Sequence, residues 1–288
     1  MATPGIARSG TKHPLVASVA LCFDSVMRVF SADFCLVCLL GAGVAGCSTV
    51  PETGRRQINF IPPAEEMQLG LTSFDKMKQE VSISKDPAAN ALVQTVGKRI
   101  AQVAPLPNAQ WEFVVFESQE ANAFCLPGGK VGVYTGILPI TRDEAGLATV
   151  LGHEIGHAVA RHGAERMSES LVMQLGGNVL DAGLAKSDPR RHAAIVTAYG
   201  LAAEVGRELP HSRKQESEAD HLGLIYMARA GYDPEAAVAF WERFSEYNRQ
   251  HGGSEGVWFL RTHPVDDVRI KQLKEWLPEA KREYRPRN

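Results

Sequence analysis

The chain has 288 residues, 44% of them hydrophobic and 22% charged, with a net charge of −2. These values exclude a disordered or fibrous chain. They also leave no polycationic surface, so nucleic acid is not an expected partner.

In chain order, the first feature is an apolar run of 12 residues, "FCLVCLLGAGVA", at 34–45. It is too short to span a bilayer but has the length of a signal-peptide core. It ends in Val44, Ala45, Gly46 and Cys47, small residues followed by a cysteine. This resembles the lipobox of bacterial lipoproteins, where the chain is cut before the cysteine and that cysteine is acylated. A plain secretory signal is the alternative. "MRVFSAD", from Met27, supplies the basic start that residues 1–26 lack. The expected organisation is therefore a spurious extension at 1–26, a lipoprotein signal peptide at 27–46, a tether at 47–60 anchored through Cys47, and a folded domain at 61–288. Past Cys47 the only other cysteine is Cys125, so no intrachain disulfide is expected once Cys47 is acylated. No run of 18 apolar residues follows residue 50, so no membrane-spanning helix is expected there.

Helical spacing marks 62–81 and 86–104, the second opening on Asp86-Pro87, a good helix start. Residues 111–118, "WEFVVFES", are aromatic and β-branched and predict a strand. A short extended piece, a Pro127-Gly128-Gly129 turn and a strand at Lys130–Tyr134 follow. A helix then begins with Thr141 as N-cap and Glu144 three residues on, a capping-box pattern. Three or four more helices reach about residue 279. Helices, a small antiparallel sheet, then helices predict an α+β fold that is mostly helical. The Ala/Gly-rich stretch 191–206 reads equally as a packed helix or a mobile lid.

The chemistry lies in "HEIGH". His153 and His157 are four apart, so on a helix both imidazoles can reach one ion. Glu154 stands about 100° round the helix, beside that ion. Zinc hydrolysis uses this arrangement: the metal acidifies a water and the carboxylate takes its proton. Apolar Val150, Leu151, Ile155 and Ala158 surround the pair, so surface histidines are the weaker reading. A third histidine six residues after the second is absent, since Gly163 stands there and His162 is one place out. "SRKQESEAD" offers Glu216 as third ligand instead, with Asp220 one turn on to accept a hydrogen bond from a liganding imidazole. Glu218 faces the other way and is expected to be solvated or salt-bridged.

Four blocks, "NAFCLPGGKVGVYTGIL" (122–138), "HEIGHAVARHGAER" (153–166), "SRKQESEAD" (212–220) and "THPVDDVRI" (262–270), together resemble a known family. It comprises zinc metallopeptidases such as the CAAX prenyl protease, HtpX, the mitochondrial protease OMA and the periplasmic LoiP and BepA. The nearer likeness is to the lipid-anchored periplasmic type. The resemblance implies a gluzincin-type metallopeptidase domain at 61–288, with its small sheet beside the HExxH helix. It implies one Zn(2+) per chain on His153, His157 and Glu216, with Glu154 as the catalytic base. It implies polypeptide substrates, and a lipid-anchored place on the periplasmic face of the outer membrane. There the chain would degrade misfolded or misassembled envelope proteins, with the outer-membrane assembly machinery as a candidate partner. An assembly chaperone with a latched or structural zinc site is the rival reading.

The resemblance also gives the sheet a role. Lys130, Val131, Gly132, Val133 and Tyr134 are either an exposed edge to which a peptide adds a strand or a plain structural hairpin. His263 either takes zinc's open position as a switch, with Arg269 holding its loop, or merely packs behind a helix capped by Thr262.

Overall fold

The computed structural model describes residues 47–184, 189, 193, 195, 210–251, 259, 263–264 and 267–286. The expectations for residues 1–46, for most of 191–206 and for Thr262 fall outside these residues. Strands β1 (Cys47–Thr49) and β2 (Arg56–Ile58) pair as a short ribbon. Helices α1 (Pro63–Glu80) and α2 (Pro87–Ala101) follow. Helix α2 begins as its sequence predicts, with the Asp86 carboxylate accepting from the Ala88 N–H at 2.9 Å and Pro87 in the first turn.

The stretch 47–60, expected as a tether, packs on the domain instead. Val50 is buried in the core, Gln57 donates to the Ala160 carbonyl at 3.0 Å, and the Phe60 N–H donates to Ser168 Oγ at 2.9 Å. Polar composition suggested a linker, but these polar groups have partners inside the fold.

The sheet holds β3 (Glu112–Phe116), β4 (Ala123–Leu126) and β5 (Lys130–Tyr134) in the order β3-β5-β4. It is mixed rather than wholly antiparallel. β4 and β5 form an antiparallel hairpin, whereas β3 and β5 run parallel. The loop 117–122 carries the chain past the middle position, and the tight turn then returns it there. Gly128 and Gly129 make that turn at φ +80° and +81°, a region that favours glycine. The outer side of β3 is bonded to residues 82–84, through Ser84 N–H to Val115 O and Glu117 N–H to Ser82 O.

After a short helix α3 (Leu138–Thr141) come α4 (Glu144–Val159) and α5 (His162–Leu184). Then follow α6 (Pro210–Arg229), α7 (Glu235–His251) and α8 (Asp267–Glu283). The cap of α4 is Asp143, whose carboxylate accepts from the Gly146 N–H at 2.8 Å. Thr141 cannot serve, because its hydroxyl donates to the Leu138 carbonyl and closes α3. Helix α4 is buried on nearly every side, as expected of an apolar helix inside a core. Val150, Leu151 and Ile155 are each fully buried, contributing about 1.5–3 kcal/mol apiece.

Helix α4 packs against β4 on one side and α6 on another. Small residues set the α4–α6 distance. A Cβ added to Gly223 would stand 2.7 Å from the His153 backbone nitrogen, and one added to Gly152 would stand 2.8 Å from the Gly223 carbonyl. Backbone cannot yield as a flexible side chain does, so Gly223→Ala must push the two helices apart. A loss of about 1–3 kcal/mol is expected, read as a drop of several degrees in Tm. Gly163→Ala, with nothing within 4 Å of its added Cβ, is the control and should not lower Tm. Equal melting of the two variants would refute the close-approach argument.

Candidate metal centre

The close α4–α6 approach brings three sequence-predicted residues together. His153 Nε2 and His157 Nε2 lie 3.1 Å apart, and each lies 3.2 Å from a different oxygen of Glu216. His263, from the loop before α8, joins them: its Nδ1 is 3.1 Å from His153 Nε2 and 3.0 Å from both Glu216 oxygens. One donor atom from each of the four residues falls within 4.8 Å of every other. His153, His157 and Glu216 are buried.

The electrostatics suit a cation at that point. Burial would lower His153, but hydrogen bonds to Asp220 and Glu216 outweigh it and raise it to about 9. The same pair of carboxylates would favour any positive charge there. Burial holds His157 well below its ordinary range, in the neutral form that can ligate. Burial would raise Glu216, but the facing His157 and His263 hold it well below the usual carboxylate range. Two imidazoles and one ionised carboxylate form a donor set that fits zinc.

Glu154 stands beside this set rather than in it. It is buried, its Oε1 accepts no hydrogen bond, and His263 Nε2 lies 3.4 Å from that oxygen. Burial pushes its pKa up, against the pull of His263 and His153. An unpartnered buried carboxylate oxygen costs stability and is unusual in a folded protein. Here it faces the donor set, where a reacting water would need a base.

A second layer of side chains holds the first. Asp220 lies 2.8 Å from His153 Nδ1, as its place one turn after Glu216 suggested. Arg269 donates twice to Asp220, at 2.7 and 2.8 Å, and once to the Pro264 carbonyl at 2.7 Å. It thus ties the His263 loop to the partner of His153, with its guanidinium 4.8 Å from the centre of the Trp241 ring.

Sequence reasoning missed the other half of this layer. His162 Nδ1 lies 2.7 Å from His157 Nδ1, and His162 Nε2 lies 2.9 Å from Glu218. Glu218 is salt-bridged, not solvated: Arg55 Nε donates to it at 2.6 Å and the Thr53 hydroxyl also donates. Burial would raise Glu218, but the bonds from His162, Thr53 and Arg55 bring it down to about 2. The only signal in the sequence was a histidine near two acids, at no diagnostic spacing.

Comparison with known proteins decides the family. Residues 87–277 match the family described as Peptidase family M48, most of the described fold. The chain belongs to this family. It is 37% identical over 234 residues to mitochondrial metalloendopeptidase OMA1 of Schizosaccharomyces pombe, covering 80% of this chain and 66% of the relative. The Saccharomyces cerevisiae OMA1 is 34% identical over 233 residues, covering 79% and 61%. The β-barrel assembly-enhancing protease of Escherichia coli is 26% identical over 229 residues, covering 78% and 46%. The chain therefore spans less than two thirds of the length of these relatives. It shares more identity with the two OMA1 proteins than with the BepA-like one, although the sequence reading placed it nearer the latter.

Within this M48 chain a cavity of about 470 Å³ opens onto the donor set, with Glu154, His157 and His263 in its wall. Asn122 to Pro127 form the facing wall, and Arg161 and Arg166 also line it. The strand here is β4, which corrects the sequence expectation. Lys130–Tyr134 is β5, the central strand, bonded on both sides and so unable to take a peptide. Strand order depends on where the 117–122 loop goes, which local pattern does not record. Cys125, on β4, also lines this cavity, and burial pushes its thiol pKa up.

Proposed function

We propose that this chain is a zinc-dependent endopeptidase of the bacterial cell envelope. The observation that carries the reading is the unpartnered Glu154 oxygen beside two imidazoles and a carboxylate, at a cavity walled by a strand edge. Zinc on His153, His157 and Glu216 would supply Lewis acidity, lowering the pKa of a water to about 7 and polarising the scissile carbonyl. Glu154 takes the proton from the attacking water and returns it to the leaving amine. The Tyr134 N–H donates to the Asn122 carbonyl at 2.9 Å. By the alternation of an antiparallel ladder, Ala123 and Cys125 then turn their N–H and C=O groups toward the unpaired side of β4. An extended peptide adding there would lay its backbone across the site.

Envelope location, with acylation of Cys47 and misfolded or misassembled envelope proteins as substrates, rests on the lipobox-like sequence and on the likeness to BepA. Among the described residues no helix is long and apolar enough to cross a membrane. Digestion of casein with and without a chelator, with fragments mapped by mass spectrometry, tests the reading. Internal cuts that vanish with chelator are the expected result. Release of single residues, or no cutting by the zinc-loaded protein, would exclude an endopeptidase.

A second reading, a chaperone with a latched site, draws on His263. Its Nδ1 sits among the donors while its Nε2 faces Glu154, so one ring lies between ligands and base. A fourth protein donor closes a catalytic zinc site. If the latch leaves the open state at the roughly 0.1–10% typical of minor conformers, His263→Ala should raise basal proteolysis by about tenfold or more with zinc retained. Unchanged or lower activity in the zinc-loaded variant would leave His263 a packing or substrate-positioning role.

A further inference from the structure

The two ligand histidines are held in different ways. His153 meets a carboxylate directly, through Asp220. His157 meets only another histidine at its rear nitrogen. We propose that His162 is the positioning residue for His157, and that it is fixed in turn by Glu218 and by Arg55 of the N-terminal ribbon. This rests on the reading of His153, His157 and Glu216 as metal ligands.

The tautomers close without conflict. His157 Nε2 faces His153 and Glu216, so its lone pair is needed there and its one ring proton must sit on Nδ1. That Nδ1–H donates to His162 Nδ1 across 2.7 Å. His162 therefore carries its own proton on Nε2, which donates to the ionised Glu218 across 2.9 Å. Every ring nitrogen in the chain has one role, and the charge at its end is neutralised by Arg55. Reversing either tautomer would leave two N–H groups, or two lone pairs, facing each other in a buried site.

The backbone is shaped for this contact. On a straight helix, five residues turn the chain by about 140°, which would carry His162 away from His157. Instead Arg161 adopts φ +57°, breaking α4 from α5, and the two rings come within 4.8 Å. Arg161 is held in that conformation by Glu66 at 2.6 Å and by the Ile61 carbonyl at 2.8 Å. The far end is equally determined. Arg55 donates from Nε to Glu218 and from both terminal nitrogens to Glu165, at 2.6 and 2.9 Å, and Gln215 donates to Glu165 at 2.7 Å. The segment carrying Thr53 and Arg55 is thus wired to a metal-site histidine through two side chains. It lies within the stretch 47–60 that the sequence reading gave as a tether anchored through Cys47.

The test compares wild type, His162→Leu and His162→Asn in a zinc competition titration against a chromophoric chelator. His162→Leu fills the space but neither accepts nor donates, and should lower zinc affinity by about 10–100-fold, as loss of an outer partner does. His162→Asn places an acceptor oxygen near the former Nδ1 and should recover most of that loss. Wild-type affinity in His162→Leu would overturn the proposal. So would equal losses in both variants, which would make His162 a packing residue. Should His162→Leu fail to fold, long-range ¹⁵N–¹H spectra of the zinc-loaded wild type decide. Ring protons are expected on His157 Nδ1 and His162 Nε2, and a proton on His162 Nδ1 would refute the relay. A wild type that binds no zinc would instead remove the ligand assignment itself, and the titration shows that case separately.

Discussion

Glu154→Gln is expected to lower kcat by about 10²–10⁴-fold, the usual contribution of a positioned acid–base group, while zinc content stays at one per chain. The two effects separate because Glu154 lies outside the donor set that His153, His157 and Glu216 form. Gln has nearly the same shape, so the helix should pack unchanged. The substitution also removes a buried carboxylate whose Oε1 has no hydrogen-bond partner, so Tm should hold or rise. KM should move little, since substrate placement is assigned to the β4 edge rather than to this side chain. A Glu154→Gln protein that digests casein at a rate comparable to wild type would sink the general-base assignment. One that loses its zinc would put Glu154 among the ligands instead.

What the sequence disclosed follows from which physical rules are local. The His153–His157 spacing is a property of one helix, so its shared face was legible. So was the Glu216–Asp220 pair, because one turn of one helix places both, and the family resemblance agreed. The β3 and β5 strands were legible from their β-branched and aromatic runs. The rest depended on choices made elsewhere in the chain. Thr141 looked like a cap until α3 claimed its hydroxyl. Lys130–Tyr134 read as either an edge or a plain hairpin because nothing local says that β4 lies outside it. His162 was set aside because it stands one place off the position of a third histidine, whereas a single left-handed residue, Arg161, lets it meet His157 at its rear nitrogen instead. Residues 47–60 looked like a tether because polarity was read as solvation, whereas Arg55 and Gln57 spend theirs on buried partners 103 or more positions away. His263 carried no spacing signal at all and was found through resemblance alone.

Glu216→Ala is expected to cost more zinc affinity than any outer-layer change, on the order of 100-fold or more, because loss of an outer partner alone reaches 10–100-fold. It removes one of three donors and one of the two carboxylates that favour a cation beside His153. The fold should survive. Arg269, 3.2 Å from Glu216, keeps its two bonds to Asp220 and one to Pro264, so no buried charge is left unpaired. Glu218→Ala is the discriminating control, being two residues along the same helix. It is not a donor to the cluster and acts on His157 only through His162, so zinc should remain stoichiometric with an affinity loss nearer the 10-fold end. Elemental analysis after dialysis against a graded chelator series measures both. Wild-type zinc retention in Glu216→Ala would remove Glu216 from the site. A loss in Glu218→Ala as deep as in Glu216→Ala would contradict the placement of the two acids on opposite faces of α6, since an indirect support cannot outweigh a ligand.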